Sequence, residues 1–295
     1  MNETANPVVG IVGGSGLYEL EGLKGVDELK VKTPFGSPSS PLIVGTLDGS
    51  DGRPVKLAFL PRHGRGHAIS PSEINYRANV HALKQLGAEW IISVSAVGSM
   101  RDEIEPGHIV IPNQFFDRTR SRGNSFFRKG CVAHVGFADP VCGVLADALH
   151  GAAKTVGATV HKGGTYVVME GPAFSTRAES RIYRQWGVDV IGMTALPEAK
   201  LAREAEICYA TLALSTDYDC WHESEEDVTV EAVVATIKKN VATAKAIVAA
   251  TAKLLPRART CACPNALRGA IMTDAKAIPA TTREKLRLLI GRYVK

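Results

Sequence analysis

The sequence predicts an α/β fold whose core is a mixed, largely parallel central sheet flanked by helices. Three observations predict it. Short continuous apolar runs rich in β-branched residues recur along the chain (Val8–Val12, Trp90–Ser95, Val188–Met193), as strands buried on both faces require. Helical stretches with start and stop signals alternate with these runs. Small polar or charged residues follow the strands, and ligands of open α/β sheets bind beyond the strands' carboxyl ends.

The elements follow in order. Val8–Val12 reads as a buried strand running into Gly13-Gly14-Ser15-Gly16. Leu42–Thr46 and Val55–Leu60 read as further strands. After the loop Pro61–Ile69, Ser70-Pro71-Ser72-Glu73 is a capping box with proline at the first helical position, which predicts a helix start there. Ile74, Ala78, Ala82 and Leu86 share one side of that helix, and Gly87 stops it. Trp90–Ser95 is a central parallel strand and Ile109–Ile111 a short one. A helix from Asp139 to Val156 ends at Gly157, and Thr165–Met169 is a strand. Thr176-Arg177-Ala178-Glu179 is a second capping box, and its helix stops at Gly187. Val188–Met193 is a strand, Glu198–Ala205 a helix, Cys208–Ser215 a strand and Thr229–Leu255 a long amphipathic helix.

Composition limits the function classes. The 295 residues are 45% hydrophobic, enough for a sizeable core. The apolar runs are too short to span a bilayer, and no secretory signal pattern opens the chain, so a cytoplasmic location is expected. The net charge of +5 is spread along the chain, which argues against nucleic acid and suits a small anionic substrate. Of six cysteines, none forms a CxxC pair, and Cys261-Ala-Cys263 reads as two free surface thiols in preference to a local disulfide.

Five strand ends carry polar groups: Ser15, Arg62-His63, Ser95-Ala96, Met193-Thr194 and Thr216-Asp217. The glycine turn at 13–16 lacks both the dinucleotide spacing and a following Lys-Ser/Thr, yet its amides could approach an anion. Arg62-His63-Gly64-Arg65-Gly66-His67 places four potential cations in six residues and reads as either a mobile basic loop or an oxyanion clamp. Asp217-Tyr218-Asp219 offers two carboxylates suited to a purine, one at N7 and one accepting from a 6-amino group. Glu223, Glu225, Glu226 and Asp227 read as a solvated face, not a metal site.

Seven segments, in order, resemble the 5′-methylthioadenosine phosphorylases, a branch of the purine nucleoside phosphorylase superfamily. They are Gly-Gly-Ser-Gly-Leu, Thr-Pro-Phe-Gly-Ser-Pro-Ser, Pro-Arg-His-Gly-Arg-Gly-His, Pro-Ser-Glu-Ile-Asn-Tyr-Arg-Ala-Asn, Met-Glu-Gly-Pro-Ala-Phe-Ser-Thr-Arg-Ala-Glu-Ser, Gly-Met-Thr-Ala-Leu-Pro-Glu-Ala and Thr-Asp-Tyr-Asp-Cys-Trp. The resemblance covers residues 8–255 and implies a single-domain purine nucleoside phosphorylase-like fold over 1–255, with 256–295 as an extension packing on the same domain. It implies cleavage of 5′-methylthioadenosine by phosphate, giving adenine and 5-methylthioribose 1-phosphate in purine and methionine salvage. It also implies a homotrimer and no metal or organic cofactor, inorganic phosphate being a co-substrate.

By motif, the resemblance places Ser15, Arg62, His63, Ser95, Ala96 and Thr194 at the phosphate. Phe174 packs on the base and Met193 on the ribose, Asp217 faces N7 and Asp219 the 6-amino group. Val230 and Val233 line the 5′-alkylthio pocket, which His134 reaches from a neighbouring subunit. Ser15 stands where threonine is common, and Ser95-Ala96-Val97-Gly98 replaces a threonine-rich strand end. A purine nucleoside phosphorylase preferring adenosine or 6-oxopurine nucleosides is the alternative. A 6-oxopurine favours asparagine over aspartate at the position of Asp219.

Overall fold

The chain runs β1 (Val8–Gly13), β2 (Lys24–Leu29), β3 (Leu42–Asp48), β4 (Pro54–Pro61), α1 (Tyr76–Gln85), β5 (Ala88–Ser99), β6 (Ile109–Ile111), β7 (Gln114–Arg118) and α2 (Gly143–Thr155). It continues through β8 (Val160–Lys162), β9 (Thr165–Met169), α3 (Arg177–Gln185), β10 (Val190–Gly192), α4 (Ala195–Glu204), β11 (Cys208–Asp217), α5 (Val230–Leu254) and α6 (Ala280–Ile290). This computed structural model describes residues 8–14, 17, 19–222 and 230–294, with the backbone alone at 230–235 and 237–239.

One sheet joins all the described strands. Along its main path the order is β2-β3-β4-β1-β5-β10-β9-β7, with β11 paired to β5 and β6, and β8 paired to β6. The β1–β4, β1–β5, β5–β11, β9–β10, β7–β9 and β6–β8 pairs are parallel, while β2–β3, β3–β4, β5–β10 and β6–β11 are antiparallel. The sheet is therefore mixed and largely parallel, as the apolar runs predict.

β5 shows why those runs lack alternation. Its side chains point to opposite faces in turn, and both faces are covered. Ile91 and Val97 pack into one layer with Leu83 of α1, Ala199 of α4 and Leu286 of α6. Trp90, Ile92 and Val94 pack into the other with Leu149 of α2 and Ile247 of α5. The tail beyond α5 contributes to both layers, through Leu286, Leu289 and Ile290 on one side and Cys263 on the other. No described helix is long and apolar enough to cross a membrane.

The second capping box forms in full. The Glu179 amide donates to the Thr176 hydroxyl at 3.2 Å, and the Thr176 amide to the Glu179 carboxylate at 2.9 Å. The first corrects the sequence reading. The Ser70 amide and hydroxyl do donate to Glu73, at 3.1 and 2.6 Å, but they close only a turn, and the helix starts at Tyr76. Asn75 takes over as cap because its oxygen accepts the Ala78 amide while its Nδ2 donates to the Phe35 carbonyl. β2, β7, β8 and α6 are additional to the sequence reading; β2 is an almost wholly exposed edge with no apolar alternation to reveal it.

Candidate active site

Parallel pairing of β1, β4, β5 and β11 brings their carboxyl ends to one edge. There the Ser95 hydroxyl of β5 meets the Thr194 hydroxyl at 3.0 Å, both residues being buried. Thr194 is the N-cap residue of α4 yet caps nothing with its side chain, so its hydroxyl is available to this pair. The neighbouring Ala96 is exposed between buried Ser95 and Val97, which opens the main chain to a ligand at that point. Tyr166 of β9 backs this region. Its hydroxyl is buried beside the Ser95 and Thr194 side chains, and burial pushes its phenol up to about 12. A side chain at Gly192 would overlap that hydroxyl. Ser15 lies outside the described residues.

The loop after β4 does not form the four-cation clamp that its sequence suggests. Arg62 is 2% exposed and faces inward. Its Nε and Nη2 donate to Glu198 at 3.0 and 3.2 Å, Nη1 to the Val94 carbonyl, and Nη2 also to Ser93 and the Val12 carbonyl. This leaves the second N–H of Nη1 as the one guanidinium donor not aimed at a described acceptor. His63 Nδ1 lies 2.8 Å from the Ile69 carbonyl. A carbonyl only accepts, so Nδ1 carries the proton and Nε2 the lone pair. Burial, with the Arg62 charge beside it, holds His63 down to about 4, so it is neutral at pH 7. His67 stacks on it at 4.2 Å, and Arg65 pairs with Glu28 at the surface. The sequence counted charges, whereas burial and pairing decide which of them face a ligand.

The other end of the site is carboxylate. Asp217 closes β11, opposite Gly98 of β5. One of its oxygens accepts the Thr216 hydroxyl at 2.6 Å and the other the Asp219 amide at 2.8 Å. Burial raises the Asp217 carboxyl despite these bonds, and burial also raises Asp219, whose neighbour Asp217 adds to the effect. Asp219 has φ 52°, a left-handed conformation that a β-carbon disfavours and that aspartate tolerates better than most. A Cβ at Gly98 would lie 2.8 Å from the Asp217 carboxylate and 3.1 Å from Ile191. Gly98→Ala is therefore expected to displace the carboxylate and lower kcat by roughly 10–100-fold, with a native circular dichroism spectrum. Unchanged turnover would mean that the position of Asp217 is not critical.

Phe174 lies on the loop between β9 and α3, and Met193 on the short turn between β10 and α4. Phe174 is 47% exposed, leaving ring surface free for a flat partner. Arg122, which carried no signal in the sequence, is the buried fastener of this region. Its Nη1 donates to the carbonyls of Met193 and Leu196, at 2.5 and 2.7 Å, and its Nη2 to Glu170 at 2.6 Å. Trp221 donates from Nε1 to the Ser99 carbonyl at 2.7 Å, and Arg184 lies over its ring, which pins the chain just after Asp219.

Val230, Val233 and His134 are the remaining expected residues. Val230 and Val233 lie in the first turns of α5, and their side chains, like residues 223–229 with Glu223, Glu225, Glu226 and Asp227, lie outside the described part. His134 is exposed, and its amide donates to the Ala270 carbonyl of the tail. A surface cleft of about 420 Å³ on α6, lined by Ile278, Arg283, Arg287 and Ile290, shares none of the strand-end residues.

Comparison with known proteins adds independent observations. A family profile described as Phosphorylase superfamily matches residues 8–253. The chain is 62% identical to an S-methyl-5′-thioadenosine phosphorylase of Geobacter sulfurreducens, over 97% of this chain and 99% of that one. It is 55% identical to one of Koribacter versatilis, over 97% and 96% of the two chains. Among solved structures, a methylthioadenosine phosphorylase from an antarctic soil metagenomic library superposes with TM-score 0.90 at 44% identity, covering 97% of this chain and 99% of that one. The Schistosoma mansoni methylthioadenosine phosphorylase in complex with adenine gives TM-score 0.80 at 36% identity, covering 97% and 98%. With the mixed sheet, the polar strand ends and near-complete coverage in agreement, this chain belongs to the phosphorylase superfamily and, within it, to the S-methyl-5′-thioadenosine phosphorylase family.

Proposed function

We propose that this chain is a pentosyltransferase that cleaves 5′-methylthioadenosine with inorganic phosphate, yielding adenine and 5-methylthioribose 1-phosphate. One observation carries the reading beyond the family. The Ser95–Thr194 hydroxyl pair and the Asp217–Asp219 carboxylates stand at the ends of the paired strands β5 and β11. Hydroxyl donors suit an oxyanion, and a buried carboxyl pair suits a base that must be protonated as it leaves.

In this reading phosphate rests on Ser95, Thr194, the Ala96 main chain and Ser15. Neutral His63 accepts a hydrogen bond from a protonated phosphate oxygen through Nε2. Arg62, largely neutralised by Glu198, acts mainly by holding the strand ends together and offers phosphate at most the remaining Nη1 hydrogen. Bond cleavage develops positive charge on the ribose and negative charge on the purine. The phosphate dianion stabilises the first and then attacks the anomeric carbon, and Asp217 supplies a proton to N7. Asp219 accepts from the 6-amino group, Phe174 covers the base and Met193 the ribose. Val230 and Val233 form the wall facing the 5′ substituent. A homotrimer, with His134 reaching a neighbour's site, belongs to the same proposal; light scattering after size exclusion tests it.

The direct test measures free base released from methylthioadenosine, adenosine and inosine, each with and without phosphate. Adenine release that requires phosphate and is fastest from methylthioadenosine is expected. Release without phosphate would make the chain a nucleosidase, and preference for inosine would contradict the role of Asp219.

A further inference from the structure

Four of the six cysteines converge at the opposite end of β11 from Asp217. Cys142 is the N-cap residue of α2, Cys208 is the first residue of β11, and Cys261 and Cys263 lie in the tail after α5. Their sulfurs all lie within 4.8 Å of one another, and those of Cys208 and Cys261 are 3.3 Å apart. Cys142, Cys208 and Cys263 are buried and Cys261 is half-buried. The tail thiols are free, as expected, but they do not lie at the surface, because folding brings the pair against two thiols that are distant in sequence.

We propose that Cys142, Cys208, Cys261 and Cys263 form a tetrathiolate site for a structural Zn²⁺ ion that fastens the tail to the sheet. Tetrahedral zinc with Zn–S bonds of about 2.3 Å sets the sulfurs about 3.8 Å apart. Shifts of about 1 Å or less, closing the wider pairs and opening the Cys208–Cys261 pair, reach that geometry. The sulfurs approach one another mutually, as ligands around one centre do, whereas disulfide formation would select pairs at about 2.05 Å.

Soft thiolates select zinc over the hard cations, which take oxygen ligands. On binding, each sulfur coordinates as a thiolate, any thiol proton passes to solvent, and the loaded site carries two net negative charges. The surroundings suit that charge. The amino end of α2 lies at Cys142. Arg259, two residues before Cys261, donates to the Glu206 carbonyl at 2.7 Å, two residues before Cys208.

Cys208 and Asp217 are the two ends of one strand, about 30 Å apart at the usual rise per residue. The ion's role is thus structural. Full-length chain expressed with zinc and dialysed without chelator is expected to retain about one zinc per chain by mass spectrometry of the metal. Cobalt substituted for zinc is expected to give the thiolate charge-transfer and visible bands of a tetrahedral sulfur site. Cys208→Ser and Cys261→Ala are expected to lower bound zinc below about a tenth and lower Tm, with kcat at low temperature within about twofold of wild type. If Cys208→Ser fails to fold, the half-buried Cys261 site and the wild-type cobalt spectrum still decide. Wild-type chain without metal overturns the proposal, whether counting under denaturing conditions finds four free thiols or two disulfides. Metal retained at full stoichiometry by both variants overturns it equally.

Discussion

Asp217→Asn is expected to lower kcat by about 10²–10⁴-fold, the usual contribution of a general acid, while KM for the nucleoside changes little. Asparagine keeps the shape: its single oxygen can accept the Asp219 amide, and its NH2 can donate to the Thr216 hydroxyl, which turns to accept. It can donate a hydrogen bond to a base nitrogen but has no acidic proton to transfer. The environment shifts the balance toward the protonated form. Burial raises both Asp217 and Asp219, and the charge of one disfavours ionisation of the other. Because the acid works in its protonated form, turnover is expected to fall as pH rises through the raised pKa of this pair. The asparagine variant is expected to lose that alkaline limb. Steady-state kinetics across pH checks both points, and near wild-type kcat in Asp217→Asn would remove the acid role from this residue.

Glu198→Ala is expected to destabilise the fold by about 3–5 kcal/mol, the range for removing one partner of a buried ion pair. Glu198 and Arg62 have side chains only 1% and 2% exposed. Truncation would strand the Arg62 charge and also leave the Tyr209 hydroxyl, 3.0 Å from Glu198, without its acceptor. Since single domains are stable by only about 5–15 kcal/mol, the loss would appear as a large fall in the denaturant midpoint. Pairing it with Arg62→Met is expected to recover part of the stability, because no buried charge then remains. A Glu198→Ala midpoint equal to wild type would show that water or a shifted side chain compensates. Together with Asp217→Asn, these variants would separate a buried charge needed for turnover from one needed for stability.

Much of this was legible in the sequence, for identifiable reasons. Strands buried on both faces leave continuous apolar runs, so β1, β5 and β11 are visible as composition. Capping at Thr176 is local chemistry and reads correctly from four residues. The exposed edge β2 and the three-residue β8 have no such signature, since pairing partners alone define them. Ser95, Thr194, Asp217 and Asp219 stand out in the sequence as small polar or acidic residues at the ends of apolar runs. The inward turn of Arg62 is invisible because its acceptors come from β1, β5 and α4, far apart in sequence. Arg122 and the four-cysteine cluster escape for the same reason. Both are contacts between distant segments, and neither follows a local spacing rule.

The forking of β5 has a consequence for how such a site can change. Ser95 and Gly98 are three residues apart on one strand, a span of about 10 Å, and each faces a different end of the site. The separation between the hydroxyl pair and the carboxylate pair is thus a length of backbone, paired along β11, with β1 joining before it and β10 at its far end. Backbone held in such a ladder behaves as a gauge block: no side-chain substitution lengthens it, and inserting one residue would invert every face beyond it. Variation in what the site accepts must therefore enter through the loops around that fixed interval, leaving the spacing between the two reacting ends as the inherited constant.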